Sequence, residues 1–549
     1  MKRHSSDILF LALVFLVVLA TTTLPYWLQA RNAPSGTQFG GIVFALADQN
    51  TYLMWMRQAA EGQVVWRDLM TSDPHQPFYT NLMWLALGRM AGKPENLLLA
   101  YHAGRVVFSL LLLIAVYALL GALLKSPWER RVALLLIATG DGLCWVFFWL
   151  NRPGPAGVPV GTEAFAAPEL LAWPSMALLP HFAAALAAMA GVFYFALAAY
   201  QRPARWAAYA AAGGLLLAVL AGFHVYDVVT VGVVLVAHWI VLWRAGQAGP
   251  HTLRALLLIL APGAAVTLLV GAMLARSPIG RAWQESNLML SWSPLAYAVG
   301  LGIPLLVALA DHKRLFHWRE MTVAERLPPI WLLVSVPLLF TDGLIPFERR
   351  LMMGIQIPVV VLAATNWSKY VVPRWAPAGR AGATTLAWGI LLALTWPGLA
   401  LRINYYATQP ASYLSEDFLA LTRRLATLRP DGVLCRAPLG NWLPQLSGQP
   451  VYVGHGELTP GFLARREQVE QFFDPATTDQ AQRKLLTQAG CWYVLAERED
   501  RAALAGGLRQ GWLEPVLALP GASLYQANPG PAYEQALLHG HRRPPVWLP

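Results

Sequence analysis

Residues 1–28 read MKRHSSDILFLALVFLVVLATTTLPYWL. The basic start and apolar run have the look of a secretory leader. The run, however, continues for about twenty residues to Leu28 without a small-x-small cleavage site, so an uncleaved membrane span is predicted. The rest of the chain has the same character. Of its 549 residues, 56% are hydrophobic and 13% charged, where a water-soluble protein carries charge at roughly a quarter of its positions. Lipid must therefore solvate much of the surface, and the 23 tryptophans and 18 tyrosines suit bilayer interfaces. The net charge of +11 does not point to nucleic acid, because Lys and Arg fall in short clusters between apolar runs, as positive-inside topology requires.

Applying the length of about 20 apolar residues that a bilayer core demands yields eleven spans: 8–28, 98–124, 131–150, 174–199, 205–222, 227–243, 253–275, 289–310, 328–342, 350–366 and 382–402. The basic clusters KRH, KSPWERR at 125–131, QRPARW at 201–206, Arg244 to Arg254, DHKR at 311–314 and KYVVPRWAPAGR at 369–380 fall on one side, expected to be cytoplasmic. An odd count puts the tail on the other side. The expected fold class is mainly α, a polytopic membrane protein of about eleven helices (1–404) with a small extracytoplasmic α/β domain (405–549). In the tail, GVLCRAP, PVYVGH and CWYVLAE are predicted strands and TDQAQRKLLTQAG an amphipathic helix ending at a glycine. Cys144, Cys435 and Cys491 show no metal-ligand spacing; Cys435 and Cys491 would form either one bridge or two unpaired core thiols.

Between the first two spans lies an outer loop, 29–97, long enough to need helices of its own or a function. Helical periodicity runs over 49–61 up to Gly62, and 77–92 is apolar enough to lie along the interface. Within ALADQNTYLMWMRQAAEGQ, residues 45–63, Asp48 stands at the start of the first of these helices. Taken alone, its carboxylate is expected to cap the helix.

One span, a long outer loop with an early acidic residue, Tyr52 four positions on, and EG at 61–62 resembles the glycosyltransferase C (GT-C) superfamily. Its members are integral membrane enzymes that take sugar from a polyprenyl-phosphate carrier. The resemblance implies that Asp48 is catalytic, that the donor is a polyprenyl-phosphate sugar held among membrane lipid, and that the active site and C-terminal domain are extracytoplasmic at a bacterial inner membrane. The double-acid forms of several branches are absent, since Gln49 follows Asp48. Inverting sugar transfer needs a base for the acceptor's proton and cations for the departing phosphate. Asp48 is the candidate base.

Other polar residues are expected on the same side. Asp73 and His75 in TSDPHQPFY form a turn, bind acceptor, or join Asp48 as ligands to a divalent cation, magnesium or manganese. Glu163 lies in the Gly- and Pro-rich loop 151–173, a connector or a lid. His224, Tyr226 and Asp227 in GFHVYDVV cap helix ends or donate to phosphate and sugar. Arg349 and Arg350, in GLIPFERRLMMG, run against the positive-inside trend and suit phosphate oxygens or lipid headgroups. Arg281 is a weaker candidate for the same role, and Arg57 could approach the substrate. His455 in PVYVGHGEL binds acceptor or forms a polar turn. No nucleotide-binding glycine loop precedes a helix, which disfavours a cytoplasmic nucleotide sugar. The acceptor, whether glycan, lipid or protein, has no legible motif. A secondary transporter or lipid flippase, or a GT-C-type glycan ligase, is the alternative. Transport favours charges near the bilayer midplane, whereas most charges here sit at span ends.

Overall fold

The computed structural model describes residues 2–150, 161–316, 318–375 and 381–528. The chain divides into two compact units. The first holds Met1–Leu28, His102–Val270 and Leu288–Thr408; the second holds Gln29–Tyr101, Gly271–Asn287 and Gln409–Pro549. The first loop thus shares a unit with the C-terminal segment.

Each of the eleven predicted spans is helical. Among the described residues eight helices are long and apolar enough to cross a membrane, and a ninth crossing is counted if Pro127–Thr139 and Cys144–Leu150, bent by 42°, are one span. The remaining two, Pro294–Leu309 and Leu327–Leu339, have 16 and 13 residues. At about 1.5 Å per residue they are shorter than a hydrocarbon core of about 30 Å. Their interruptions have local causes: Gly302 takes φ 59 and ψ −140 inside the first, and Pro337 stands in the last turn of the second.

The bend at 140–143 is built by small residues and one buried ion pair. The backbone N–H of Leu143 donates to Val299 O at 2.7 Å. A Cβ on Gly142 would collide with the carbonyl oxygens of Val299 and Gly300. Beside it the Arg402 guanidinium donates to both Asp141 oxygens, at 2.6 and 3.2 Å, and to Phe165 O at 2.6 Å. Both side chains of the pair are 1% exposed. Removing one partner strands the other charge, which costs about 3–5 kcal/mol. Arg402→Met is therefore expected to lower the thermal midpoint of the detergent-solubilised chain sharply. Asp141→Leu added to Arg402→Met should recover part of the loss; a single variant as stable as the parent would contradict the assignment.

The second unit carries the strands. β1 (Thr37–Phe39) pairs antiparallel with β2 (Tyr413–Ser415). β3 (Gly432–Leu434), β4 (Cys491–Glu497), β5 (Leu513–Ala518) and β6 (Ala522–Ala527) form a sheet of order β3-β4-β6-β5. β3 and β4 are parallel, so the chain between them must cross over. It does so through the helices Ala437–Ser447, Phe462–Phe472 and Asp479–Ala489. The last is the predicted amphipathic helix, capped by the Thr478 hydroxyl at its start and by Gly490 at φ 60 at its end. The sheet buries Val494, Leu504, Trp512 and Tyr525 with Val453, Phe472 and Leu486. The three cysteines are buried and unbridged.

One predicted strand, PVYVGH, forms only an isolated bridge, Val451 to Val433. Val451 N–H donates to Leu69 O and Thr459 takes the amides that follow, so the backbone leaves the sheet to turn at His455. The first-loop helix Leu46–Ala60 meets the Ala437–Ser447 helix, where Asn50 donates to Asn441 at 2.7 Å. On its other side lies Leu82–Ala91, started by an Asn81 cap. Gly88 permits that approach, since a Cβ there would collide with Met56 O.

Candidate active-site residues in the two units

In the second unit, Asp48 is not the helix cap that the sequence suggested. The cap position is Ala45, in the left-handed region at φ 47 and ψ 49, and Asp48 lies in the first turn after it. A left-handed non-glycine residue costs about 1–2 kcal/mol, a strain often found beside functional groups. The neighbour Gln49 organises this end: its amide donates to Phe44 O, and its oxygen accepts from the Tyr101 hydroxyl at 2.9 Å. Gln49 is buried, whereas the Asp48 side chain is 48% exposed. The carboxylate thus faces solvent at the positive end of its helix.

Across from Asp48 stands His455, its Nε2 at 3.3 Å from Oδ1. The same turn holds Thr459, whose hydroxyl donates to Met70 O at 2.6 Å. Met70 leads to Asp68, which reading of the sequence had missed. Asp68 is buried, and its Oδ1 accepts the Met70 N–H at 2.8 Å. Burial pushes this carboxyl up to about 7; Met70 N–H and His455 draw it back, and Asp73 adds to the rise. Its ordinary value is 3.8, so the folded chain holds this proton more tightly than the unfolded one. Stability is then fully present below about pH 4 and is lost as pH climbs through about 7. The expected loss is at most about 4 kcal/mol, from three units at about 1.4 kcal/mol each. Asp68→Asn should flatten this pH dependence in thermal melts between pH 4 and 8. An unchanged slope would show that Asp68 titrates normally.

Asp73 and His75 are engaged within the protein. Asp73 pairs with Arg465 at 2.6 Å. His75 accepts the Asp68 N–H at Nε2, 3.0 Å, and its Nδ1 lies 2.7 Å from Asp73 O, which leaves both ring nitrogens used. Arg57 donates to Gln445 O and Leu446 O and pairs with Glu61 at 2.9 Å, so it fastens helices. Tyr52 stacks on Trp84 at 4.5 Å. Arg281 is exposed and donates to Ala275 O. Among the described residues no group of three or more His, Cys, Asp or Glu is arranged to hold a metal ion. Asp48, Asp73 and His75 do not fit one as they stand, because an arginine and backbone groups occupy two of them.

In the first unit a second set converges. The 3-10 turn Glu348–Met352 presents both arginines. Glu348 anchors it, accepting from Ser291 N, Thr341 N and the Thr341 hydroxyl at 2.8, 2.9 and 2.6 Å. Arg349 lies over the Trp292 ring at 4.7 Å. Arg350 lies over the Tyr226 ring at 5.2 Å and pairs with Glu169 at 3.7 Å, longer than a hydrogen bond. His224 Nδ1 bonds Asp227 Oδ2 at 2.8 Å, and the His181 ring is 5.6 Å from that of His224. Arg350, Tyr226, His224, Asp227, Glu169 and His181 are therefore gathered together. Glu163 begins the separate turn Glu163–Ala166, with one carboxylate oxygen buried and without a hydrogen-bond partner among the described residues. The loop expected as a lid lies in part, at 151–160, outside the described residues.

No protein-family model matches the chain, and no curated protein does. Solved structures do. The Archaeoglobus fulgidus oligosaccharyltransferase in its apo form superimposes with a TM-score of 0.56 over 94% of this chain and 74% of that one, at 13% identity. The chain shares the fold of that oligosaccharyltransferase. Two further structures of that kind match over 94% of this chain. The archaeal oligosaccharyltransferase AglB from Archaeoglobus fulgidus, in complex with an inhibitory peptide and a dolichol-phosphate, gives a TM-score of 0.53 at 11% identity over 74% of that chain. The Archaeoglobus fulgidus oligosaccharyltransferase in complex with Zn and sulfate gives 0.53 at 12% over 73% of that chain. At these identities the likeness is one of fold, so the roles of this chain's residues rest on their own chemistry.

Proposed function

We propose that this chain transfers a sugar from a polyprenyl-phosphate-linked donor to an acceptor on the extracytoplasmic face of a bacterial inner membrane, with inversion and with Asp48 as general base. The observation that carries the reading is a half-exposed carboxylate in the first helical turn after span one, within a GT-C fold. In the step proposed, an acceptor oxygen or nitrogen attacks the sugar's anomeric carbon on the face opposite the phosphate. Its proton passes to Asp48 as the new glycosidic bond forms. The bond from that carbon to the phosphate oxygen breaks, and the electron pair leaves on polyprenyl phosphate.

Arg349 and Arg350 supply the positive charge such a leaving group needs. The contact from Arg350 to Glu169 is long enough for a phosphate oxygen to replace the carboxylate. His224 and Tyr226 are the further donors beside it. The dolichol-phosphate and the sulfate bound by the archaeal enzyme are consistent with an anion of this kind. The step proposed here uses no metal; a magnesium or manganese ion would have to find ligands beyond Asp73 and His75 as they are paired. Acceptor identity stays open among glycan, lipid and protein.

The test uses the full chain in liposomes with radiolabelled undecaprenyl-phosphate hexose and pentose, plus membrane lipid, glycan and protein fractions. Release of undecaprenyl phosphate with label of inverted configuration in one fraction is expected. Donors left intact under every condition would overturn the reading.

A further inference from the structure

We propose that His455 is the positioning residue for Asp48, fixing the plane of its carboxylate through a hydrogen bond from ring Nε2–H. The inference rests on the reading of Asp48 as base, and it adds a residue contributed by the C-terminal segment.

The ring cannot choose its proton freely. Nδ1 accepts the backbone N–H of Glu457 at 3.0 Å and of Leu458 at 3.3 Å. A nitrogen that faces two donors carries no hydrogen, so in the neutral ring the hydrogen lies on Nε2. Nε2 is the atom that faces Asp48 Oδ1 at 3.3 Å. The length suits a contact that tightens when substrate closes on it.

The ring is also held in place. His455 is 7% exposed. Its own N–H and that of Gly454 donate to the Thr459 hydroxyl oxygen at 3.2 and 3.1 Å, and Thr459 N–H returns to His455 O at 2.9 Å. Thr459 is tied in turn to Met70 O. A Cβ on Gly454 would fall 2.8 Å from the Met70 sulfur, so the turn sits tightly against the first loop. Asp48, Glu457 and Asp68 are the titratable groups that face the ring. A rigid donor aimed at one carboxylate oxygen restricts the rotation of the group, which is how outer partners tune a reacting group.

Two substitutions separate positioning from mere structure. In His455→Asn the amide oxygen can still accept from Glu457 and Leu458, but the shorter side chain no longer reaches Asp48. In His455→Gln an amide N–H reaches as far as Nε2 while the turn loses its acceptor. In the full chain with undecaprenyl-phosphate hexose or pentose, kcat is expected to fall roughly 10- to 100-fold in His455→Asn with donor KM little changed, and to recover in His455→Gln. A purely structural histidine gives the reverse order. Ring-nitrogen NMR needs no substrate: a neutral Nε2–H tautomer whose Nε2 signal moves in Asp48→Ala is expected. The opposite tautomer, or a signal indifferent to Asp48→Ala, overturns the proposal. If Asp48→Asn leaves turnover intact, the base reading fails, and the NMR result still decides the hydrogen bond.

Discussion

Asp48→Asn is expected to lower kcat by about 100- to 10,000-fold, the range over which a positioned base accelerates proton transfer. The change is nearly isosteric. The new amide oxygen can still accept from His455 Nε2–H, so the first turn of Leu46–Ala60 and its meeting with Ala437–Ser447 should persist. If Arg349 and Arg350 hold the donor phosphate, as proposed, donor KM should move little. That split between kcat and KM marks an interaction made in the transition state. Asp48→Glu keeps the charge but moves it by about one methylene, and a displacement of about 1 Å is enough for a loss of about 100-fold. Turnover by Asp48→Asn at the parental rate would remove Asp48 from the mechanism.

Replacing Arg350 with Ala should raise the donor dissociation constant or KM by about 100-fold or more, and lower kcat as well, because a cation facing a departing phosphate acts in ground and transition states alike. Arg350→Lys should fall between. A lysine keeps the charge and loses both the bidentate fork and the stacking over Tyr226. Arg350 is also the partner of Glu169, so Arg350→Ala leaves that carboxylate without its cation. The double variant Glu169→Gln with Arg350→Ala removes this complication: if donor affinity returned to the parental value, the loss would belong to Glu169's unpaired charge rather than to phosphate binding. Retention of undecaprenyl phosphate on immobilised protein measures the affinity directly. Equal binding by parent and Arg350→Ala would place the donor phosphate elsewhere.

Much of the fold was readable in the sequence because the signals are local. Apolar runs marked each helix that is long and apolar enough to cross a membrane among the described residues, and the end of Asp479–Ala489 was legible in Gly490. Local signals also misled. Asp48 looked like a cap because acidic residues cap helices, yet a left-handed Ala45 took that position. PVYVGH looked like a strand because it is β-branched and aromatic, yet its amides are needed by the turn around His455 and Thr459. The runs 289–310 and 328–342 looked long enough to span, and Gly302 and Pro337 interrupt them.

Composition and short spacings identify a multi-pass membrane chain, name the residues that could carry acid, base or cationic chemistry, and set Asp48 at the opening of a helix in a long first loop. Those properties follow from composition and from spacings of a few residues, where helix periodicity, capping and hydropathy act. Which of those candidates are engaged within the protein follows from tertiary contacts. The fold paired Arg57 with Glu61 and two carbonyls, gave Asp73 to Arg465, and buried Asp68, a residue with no sequence signal, until its carboxyl rose to about 7. It also brought His455 to Asp48 across 407 positions and Arg402 to Asp141 across 261. Burial and hydrogen-bond partnership depend on what the fold places within about 3 Å, and over such separations no local pattern in the chain encodes it.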